Sequence, residues 1–147
     1  MRLILVRHGI AVDRADPGCP ANDAERRLTD AGREKTKRAA RGLRKLDARP
    51  GALFSSPYLR AVETAELFRR ALELPSGSIR RTEALLPGAD PAAFLEELAR
   101  TEADEVLAFG HAPSLDRIVA AVLGTRGPRT EMGKAGAACL DLPPGEA

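Results

Sequence analysis

The chain has 147 residues, of which 44% are hydrophobic and 30% are charged, as expected for one globular domain. A formal net charge of only +2 and an aromatic content of 3% argue against a nucleic-acid-binding surface, which needs clustered basic and stacking side chains. The apolar run Leu3–Val6 is too short for a signal peptide or a membrane span, so we expect a cytoplasmic protein without membrane contact. The two cysteines lie far apart and lack the spacing of a metal site, so we expect both to be free thiols.

The first third of the chain predicts a strand, a long loop and a helix. Leu3–Val6 is wholly apolar and rich in branched residues, which is typical of a strand buried on both faces. Residues 13–27 are polar and contain prolines and a glycine, so they predict a loop. Thr29 is suited to cap the helix that follows. The inward stripe of that helix is predicted to consist of Ala39, Leu43 and Leu46.

Beyond residue 50, strand-like and helix-like segments alternate. Ser56-Pro57 and Asp90-Pro91 each place a capping side chain before a proline, which is typical of a helix start. Pro113 begins a further helix, for which Gly124 is a suitable end. Short apolar runs predict strands at residues 52–54, 106–109 and 137–142, with a weaker strand and a turn within 79–86.

This alternation predicts the fold class. Strands that alternate with helices favour an α/β fold, in which a mostly parallel sheet is covered by helices on both faces. We therefore predict a three-layer α/β/α architecture in a single domain over residues 1–147. The sequence contains no internal repeat, low-complexity tract or domain linker.

Both histidines of the chain directly follow a predicted strand. In open α/β folds, ligands bind beyond the carboxyl ends of the strands. Arg7 and His8 follow the first strand, Arg60 lies in the first helical turn after the second, and His111 follows the strand at 106–109. The guanidinium groups of arginines and the N-termini of helices bind phosphate oxygens, and a neutral imidazole nitrogen can attack phosphorus. The set predicts a phosphate site with His8 as a covalent nucleophile.

Each of these residues has a plainer interpretation when taken singly. His111 alone would be a core histidine, Arg60 a surface residue of a helix, and Ser56 a helix cap. Two histidines could also bind a metal ion, but no third ligand is suitably placed and the arginines would repel a cation. Their joint position at one predicted sheet edge favours the phosphate site. We expect no metal and no cofactor, because the arginines supply the charge neutralisation.

Four motifs follow one another along the chain: Arg7-His8-Gly9, Leu28-Thr29 with Gly32, Ser55-Ser56-Pro57 with Arg60, and Gly110-His111 with Pro113. Together they resemble the signature of the histidine phosphatase superfamily, also called the phosphoglycerate mutase-like family. The resemblance runs from residue 3 to about residue 123. It implies the phosphoglycerate mutase-like form of the three-layer fold.

The resemblance implies a role for each matching residue. His8 would be the phosphorylated nucleophile, and Arg7 and Arg60 would bind the phosphoryl oxygens. His111 would bind the same oxygens and stabilise the transition state, and the adjacent Ala112 joins the substrate-binding set. Glu83 is the nearest match to the acidic proton donor of the superfamily, with a solvated loop carboxylate as the equal alternative.

The length of the chain bears on the branch of the family. Mutases and sugar phosphatases of the superfamily are typically larger, whereas this chain most resembles the compact SixA-type phosphohistidine phosphatases. A phosphohistidine leaves as imidazole, with a pKa of about 6.5, so the enzyme can work with a weak acid or none. The predicted partner is a phosphorylated protein. The alternatives are a small phosphorylated metabolite, such as a sugar phosphate or nucleotide, and a phosphoprotein-binding module without turnover.

Several basic residues lie outside the motifs. The helix after Thr29 is strongly basic, and a solvated helix face is favoured over a docking face for an acidic partner. Arg26 and Arg27 lie in the loop near the predicted site, where they could touch substrate. The sequence is compatible with a monomer but does not determine the oligomeric state.

Overall fold

The protein is described here by a computed structural model that covers residues 1–128 and 130–143. Two short 3₁₀ turns, Asp23–Glu25 and Glu83–Leu85, accompany the regular elements. The regular elements are, in chain order, β1 (Arg2–Arg7), α1 (Asp30–Lys45), β2 (Ala52–Ser55), α2 (Leu59–Ala71), β3 (Ile79–Arg81), α3 (Pro91–Ala99), β4 (Glu105–Gly110), α4 (Ser114–Leu123) and β5 (Ala137–Asp141). Within the described residues, no helix is long and apolar enough to cross a membrane.

The five strands form one mostly parallel sheet, as the sequence predicts. Their order is β3-β2-β4-β1-β5, and β5 alone runs antiparallel, beside β1. Arg7 at the end of β1 pairs with Gly110 at the end of β4, and Ser55 at the end of β2 pairs with Phe109. The carboxyl ends of these three central strands therefore lie together at one edge of the sheet.

The side chains of the strands alternate between two apolar layers. Leu3 and Leu5 of β1 pack on the face covered by α3 and α4, whereas Ile4 and Val6 pack on the face covered by α1 and α2. Burying a leucine or isoleucine side chain contributes roughly 1.5–3 kcal/mol, so both layers hold the helices firmly against the sheet. The predicted three-layer α/β/α fold is confirmed.

The predicted helix ends are confirmed at three places. Thr29 Oγ1 accepts a hydrogen bond from the Gly32 amide at 2.9 Å, and Asp90 Oδ1 accepts one from the Ala92 amide at 3.0 Å. Each bond satisfies an amide that the first helical turn leaves free. Gly124 ends α4 with a φ of 71°, a left-handed conformation that glycine adopts without steric cost.

Two helix predictions were wrong. The helix after β2 begins at Leu59, two residues beyond the predicted start at Pro57. Ser56 is fully buried, and its hydroxyl contacts His111 Nε2 and accepts from the Tyr58 amide rather than from an amide within the helix. Leu46, predicted to face inward, is 78% exposed. It lies just past the last helical residue, Lys45, so helical spacing no longer determines its direction.

The long loop at 13–27 is closed at its base by main-chain and side-chain contacts. The Val12 amide donates to the Arg27 carbonyl at 2.9 Å, and Arg26 Nη1 donates to the Val12 carbonyl at 2.8 Å. The 3₁₀ turn within the loop is capped by Asn22, which accepts from the Ala24 amide at 3.1 Å. These contacts hold the loop beside the edge where β1, β2 and β4 end.

Candidate active site

The residues predicted for the phosphate site meet in one pocket of about 300 Å³ at the carboxyl ends of β1 and β4. Its walls come from the ends of these strands, from the loop 13–27 and from the segment that precedes β5. The lining residues are Arg7, His8, Ala11, Arg14, Asp23, Arg26, Arg60, Pro87, His111, Ala112 and Lys134. The pocket thus contains all of the predicted site residues except Glu83.

The sheet register explains why the two histidines meet. Arg7 and Gly110 are paired across β1 and β4, so the next residue on each strand is a histidine. The His8 amide donates to the Gly110 carbonyl at 3.0 Å and extends the pairing by one step. The two imidazole rings lie 5.2 Å apart between centroids.

The imidazole of His8 is fixed in one tautomer. Its Nδ1 lies 2.7 Å from the Gly9 carbonyl oxygen, which can only accept, so Nδ1 carries the proton and Nε2 keeps its lone pair. The residue is only 8% exposed. Burial lowers the pKa of His8 to about 4, and the charges of Arg60 and Arg7 add to this effect. His8 is therefore a neutral nucleophile at physiological pH.

The glycine after His8 is required by close packing. Its amide donates to Thr64 Oγ1 at 3.0 Å, and a Cβ at Gly9 would lie 2.4 Å from Thr36 Oγ1. Gly32 is equally constrained, because a Cβ there would lie 2.2 Å from the Ile10 carbonyl oxygen. Both distances are too short for a carbon contact. The glycines of the first two motifs thus let α1 pack against the turn that carries His8.

His111 lies deeper in the pocket, with 2% of its surface exposed. Its Nε2 is 2.8 Å from Ser56 Oγ, and its Nδ1 is buried without a hydrogen-bond partner among the described residues. Burial, together with repulsion from a protonated His8 and from Arg60, lowers the pKa of His111 to about 3. A neutral His111 whose Nε2 accepts from Ser56 carries its proton on Nδ1, where it can be donated to a ligand oxygen.

Arg60 enters the pocket from the first turn of α2 and is 4% exposed. Its Nη1 donates to the Asp23 carbonyl at 2.9 Å, and its Nη2 donates to Asp23 Oδ2 at 3.2 Å. Its guanidinium carbon lies 5.0 Å from the centroid of the Tyr58 ring. Burial lowers the pKa of Arg60, but an arginine remains protonated at any physiological pH.

Arg7 is held by a segment that sequence reasoning did not identify. Its Nη1 donates to the Met132 carbonyl at 2.8 Å. The buried carboxylate of Asp116 in α4 accepts from Thr130 Oγ1 at 2.7 Å and from the Met132 amide at 3.2 Å. The Ala135 amide lies 3.1 Å from the carbonyl oxygen of Arg7, the last residue of β1, and 3.1 Å from that of His8, the next residue. The only sign of this support in the sequence was Asp116, a carboxylate next to the apolar positions of α4.

The pocket is strongly basic. Of the basic residues, only Arg7, Arg60 and, as a candidate, Arg26 were identified from the sequence; Arg14 and Lys134 were missed. Asp23 is the one carboxylate among the lining residues and was also missed. Such a surplus of positive charge favours an anionic ligand.

Glu83 does not share the pocket. It is exposed in its 3₁₀ turn and is absent from the lining residues. Its role as a proton donor therefore has no support in the geometry. Elsewhere in residues 1–128 and 130–143, no group of three or more histidine, cysteine or acidic side chains could hold a metal ion, and Cys19 and Cys139 are free thiols.

Comparisons with known proteins identify the family of the chain. The model of the histidine phosphatase superfamily (branch 1) matches residues 3–85. An uncharacterized protein of Picosynechococcus sp. is 36% identical over 140 residues, which cover 92% of this chain and 82% of that protein.

Solved structures share the fold. The protein histidine phosphatase SixA, complexed with tungstate, matches with a TM-score of 0.83 at 29% identity, over 97% of this chain and 88% of that one. The alpha-ribazole phosphatase from Shigella flexneri has the same fold, with a TM-score of 0.77 at 18% identity, over 98% of this chain and 92% of that one. The chain belongs to the histidine phosphatase superfamily, branch 1, whose members are phosphatases that hydrolyse phosphate esters.

Proposed function

We propose that this chain is a phosphohistidine phosphatase that acts on phosphorylated proteins through a covalent intermediate on His8. The observation that carries the proposal is the fixed tautomer of His8: Nδ1 is bound to the Gly9 carbonyl at 2.7 Å, and Nε2 keeps its lone pair within a pocket of arginines. A neutral imidazole with an oriented lone pair is a competent nucleophile for phosphorus.

In the first step, His8 Nε2 attacks the phosphorus of the substrate. The Nε2–P bond forms as the bond from phosphorus to the substrate imidazole nitrogen breaks, and that nitrogen keeps the electron pair. The substrate ring carries a proton on its other nitrogen, so it leaves as neutral imidazole. Arg7, Arg60 and His111 line the pocket where the phosphoryl oxygens would lie, and Nδ1 of His111 has no hydrogen-bond partner among the described residues. Donors arranged in advance around a reacting group stabilise the charge of the transition state without reorganisation.

In the second step, water attacks the phosphorus of the His8 adduct. The P–Nε2 bond breaks, its electron pair returns to Nε2, and inorganic phosphate leaves with the oxygen of the water. The bond from Nδ1 to the Gly9 carbonyl holds the ring throughout, so the nucleophile is regenerated in the same orientation. The two steps require neither a metal nor a cofactor.

The leaving group supports phosphohistidine over a phosphate ester. An ester leaves as an alkoxide and needs a strong general acid, whereas imidazole leaves readily. Glu83, the candidate acid, is exposed and does not line the pocket. The likeness to SixA, a protein histidine phosphatase, is in keeping with this substrate class.

The test compares two substrates with one variant. Wild-type protein and His8→Asn are incubated with a phosphohistidine-bearing protein and with a small phosphate ester, in the presence of a metal chelator. We expect phosphate release from phosphohistidine by the wild type, at least 100-fold slower ester turnover, and loss of both activities in His8→Asn. A rapid quench should also trap the phosphoryl group on His8.

Three results would contradict the proposal. Fast ester turnover without action on phosphohistidine would place the chain among the phosphatases of small metabolites. Tight binding of phosphohistidine protein without turnover would make it a binding module. Full activity of a correctly folded His8→Asn, checked by its unfolding temperature, would exclude the covalent step.

A further inference from the structure

Among the described residues that line the pocket, Asp23 is the one carboxylate, and it lies between three of the arginines. Asp23 Oδ1 accepts from Arg26 Nε at 2.8 Å and lies 3.2 Å from Arg14 Nη2. Asp23 Oδ2 lies 3.2 Å from Arg60 Nη2, and the main-chain carbonyl of Asp23 accepts from Arg60 Nη1 at 2.9 Å. Asp23 therefore bonds to three cations that would otherwise attract a phosphoryl group.

These contacts occupy the part of Arg60 that a phosphate would use. Arginine grips a phosphate through two nitrogens at once, and both terminal nitrogens of Arg60 already bond to Asp23. Each terminal nitrogen carries two N–H groups, and Asp23 uses one on each; Arg60 Nε has no partner among the described residues. A phosphoryl group that approaches Arg60 therefore shares its donors and its charge with Asp23.

The two partners differ in freedom to move. The side chain of Arg60 is 5% exposed and lies against the Tyr58 ring, whereas that of Asp23 is 37% exposed on a short 3₁₀ turn. Partial burial is the largest single effect on the pKa of Asp23 and raises it. The hydrogen bond from Arg26 and the charges of the arginines together outweigh burial, so the pKa is lowered. Asp23 is thus ionised, and as the more exposed partner it has more freedom to move than Arg60.

We infer that Asp23 is a counter-ion that competes with the phosphoryl group for Arg60 and its neighbouring arginines, and that this competition sets the oxyanion affinity of the site. The inference rests on the proposed function, because it assumes that the pocket binds phosphate. It assigns to Asp23 an affinity-setting role that is separate from the chemistry of His8. A pocket with five cations and no carboxylate to compete for them would retain its phosphate product. Tight binding that is equal for substrate, transition state and product does not speed turnover.

The test measures tungstate and inorganic phosphate binding by calorimetry, so it does not depend on turnover. Asp23→Asn removes the charge but keeps the main-chain carbonyl that Arg60 Nη1 contacts. Glu25→Gln is the matched control, because it removes one negative charge from the same 3₁₀ turn at an exposed position outside the lining of the pocket. The unfolding temperature of each variant shows that it is folded.

We expect Asp23→Asn to bind tungstate and phosphate about five- to tenfold more tightly than the wild type, and phosphate to inhibit it more strongly as product. Glu25→Gln should bind like the wild type. Unchanged or weaker binding by Asp23→Asn, or an equal gain in Glu25→Gln, would overturn the inference while leaving the proposed function intact. Absence of oxyanion binding in wild type and Asp23→Asn alike would refute the phosphate pocket, and both proposals with it.

Discussion

Mild acid should destabilise this protein through its two buried histidines. His8 and His111 have pKa values of about 4 and about 3 in the folded chain, chiefly because burial disfavours their charged forms. In the unfolded chain a histidine titrates near pH 6.5. The unfolded state therefore binds protons that the folded state refuses, and stability falls as pH drops from about 6.5 toward 4.

The size of the effect follows from the two shifts. At pH 5 both histidines remain neutral when folded and are almost fully protonated when unfolded. Integrating the proton uptake gives a loss of about 2 kcal/mol for each histidine relative to pH 7.5. The chain has only two histidines, so they account for the whole expected loss of about 4 kcal/mol. That is a large part of the 5–15 kcal/mol typical of a domain.

Urea unfolding at pH 7.5 and pH 5 measures this loss directly. The wild type should lose about 4 kcal/mol between the two conditions, and His111→Asn about half as much, because one of the two titrating groups has gone. Aspartates and glutamates titrate mostly below this window, so they add little. A wild-type loss under about 1 kcal/mol would refute the reasoning, since it would mean that the histidines accept protons in the folded state.

Two further predictions concern packing and the support of Arg7. Gly32→Ala should lower the free energy of unfolding by about 2 kcal/mol or more, because the new Cβ would clash with the Ile10 carbonyl. Gly42→Ala in the same helix meets no neighbouring atom and should raise the free energy of unfolding by up to about 1 kcal/mol. Urea unfolding measures both changes. Asp116→Ala should weaken tungstate binding about fivefold by releasing the segment that holds Arg7. If Asp116→Ala weakens tungstate binding by the same factor when Arg7 is already replaced by alanine, Asp116 does not act through Arg7.

The sequence predicted the features that depend on local pattern. Apolar runs such as Leu3–Val6 identify strands because a strand buried on both faces has no polar alternation, and Thr29 and Asp90 identify helix starts because the capping bond is local. The convergence of His8 and His111 also followed from pattern, since parallel strands end at one edge of a sheet. The resemblance to the family motifs then gave each of these residues an expected role.

The features that the sequence did not reveal depend on tertiary contacts. Asp23 lies in a loop without periodicity, and only the folded loop brings its carboxylate to Arg60. Asp116 resembles a solvated helix residue until residues 130–132 fold over it. Ser56 was misread because a serine before a proline is usually a cap, whereas here the burial of His111 requires a hydrogen-bond partner that Ser56 provides.

Three buried donors belong to residues that line the pocket. Five buried polar atoms lack a partner among the described residues, and these three are Arg7 Nε, Arg60 Nε and His111 Nδ1. A buried donor without a partner costs about 1–3 kcal/mol, so each such group calls for an explanation, and a bound ligand is one of them. All three atoms can donate, and a phosphoryl group offers three oxygens that accept. Under the proposed function, a small rearrangement of these side chains around a bound phosphoryl group would recover part of that cost.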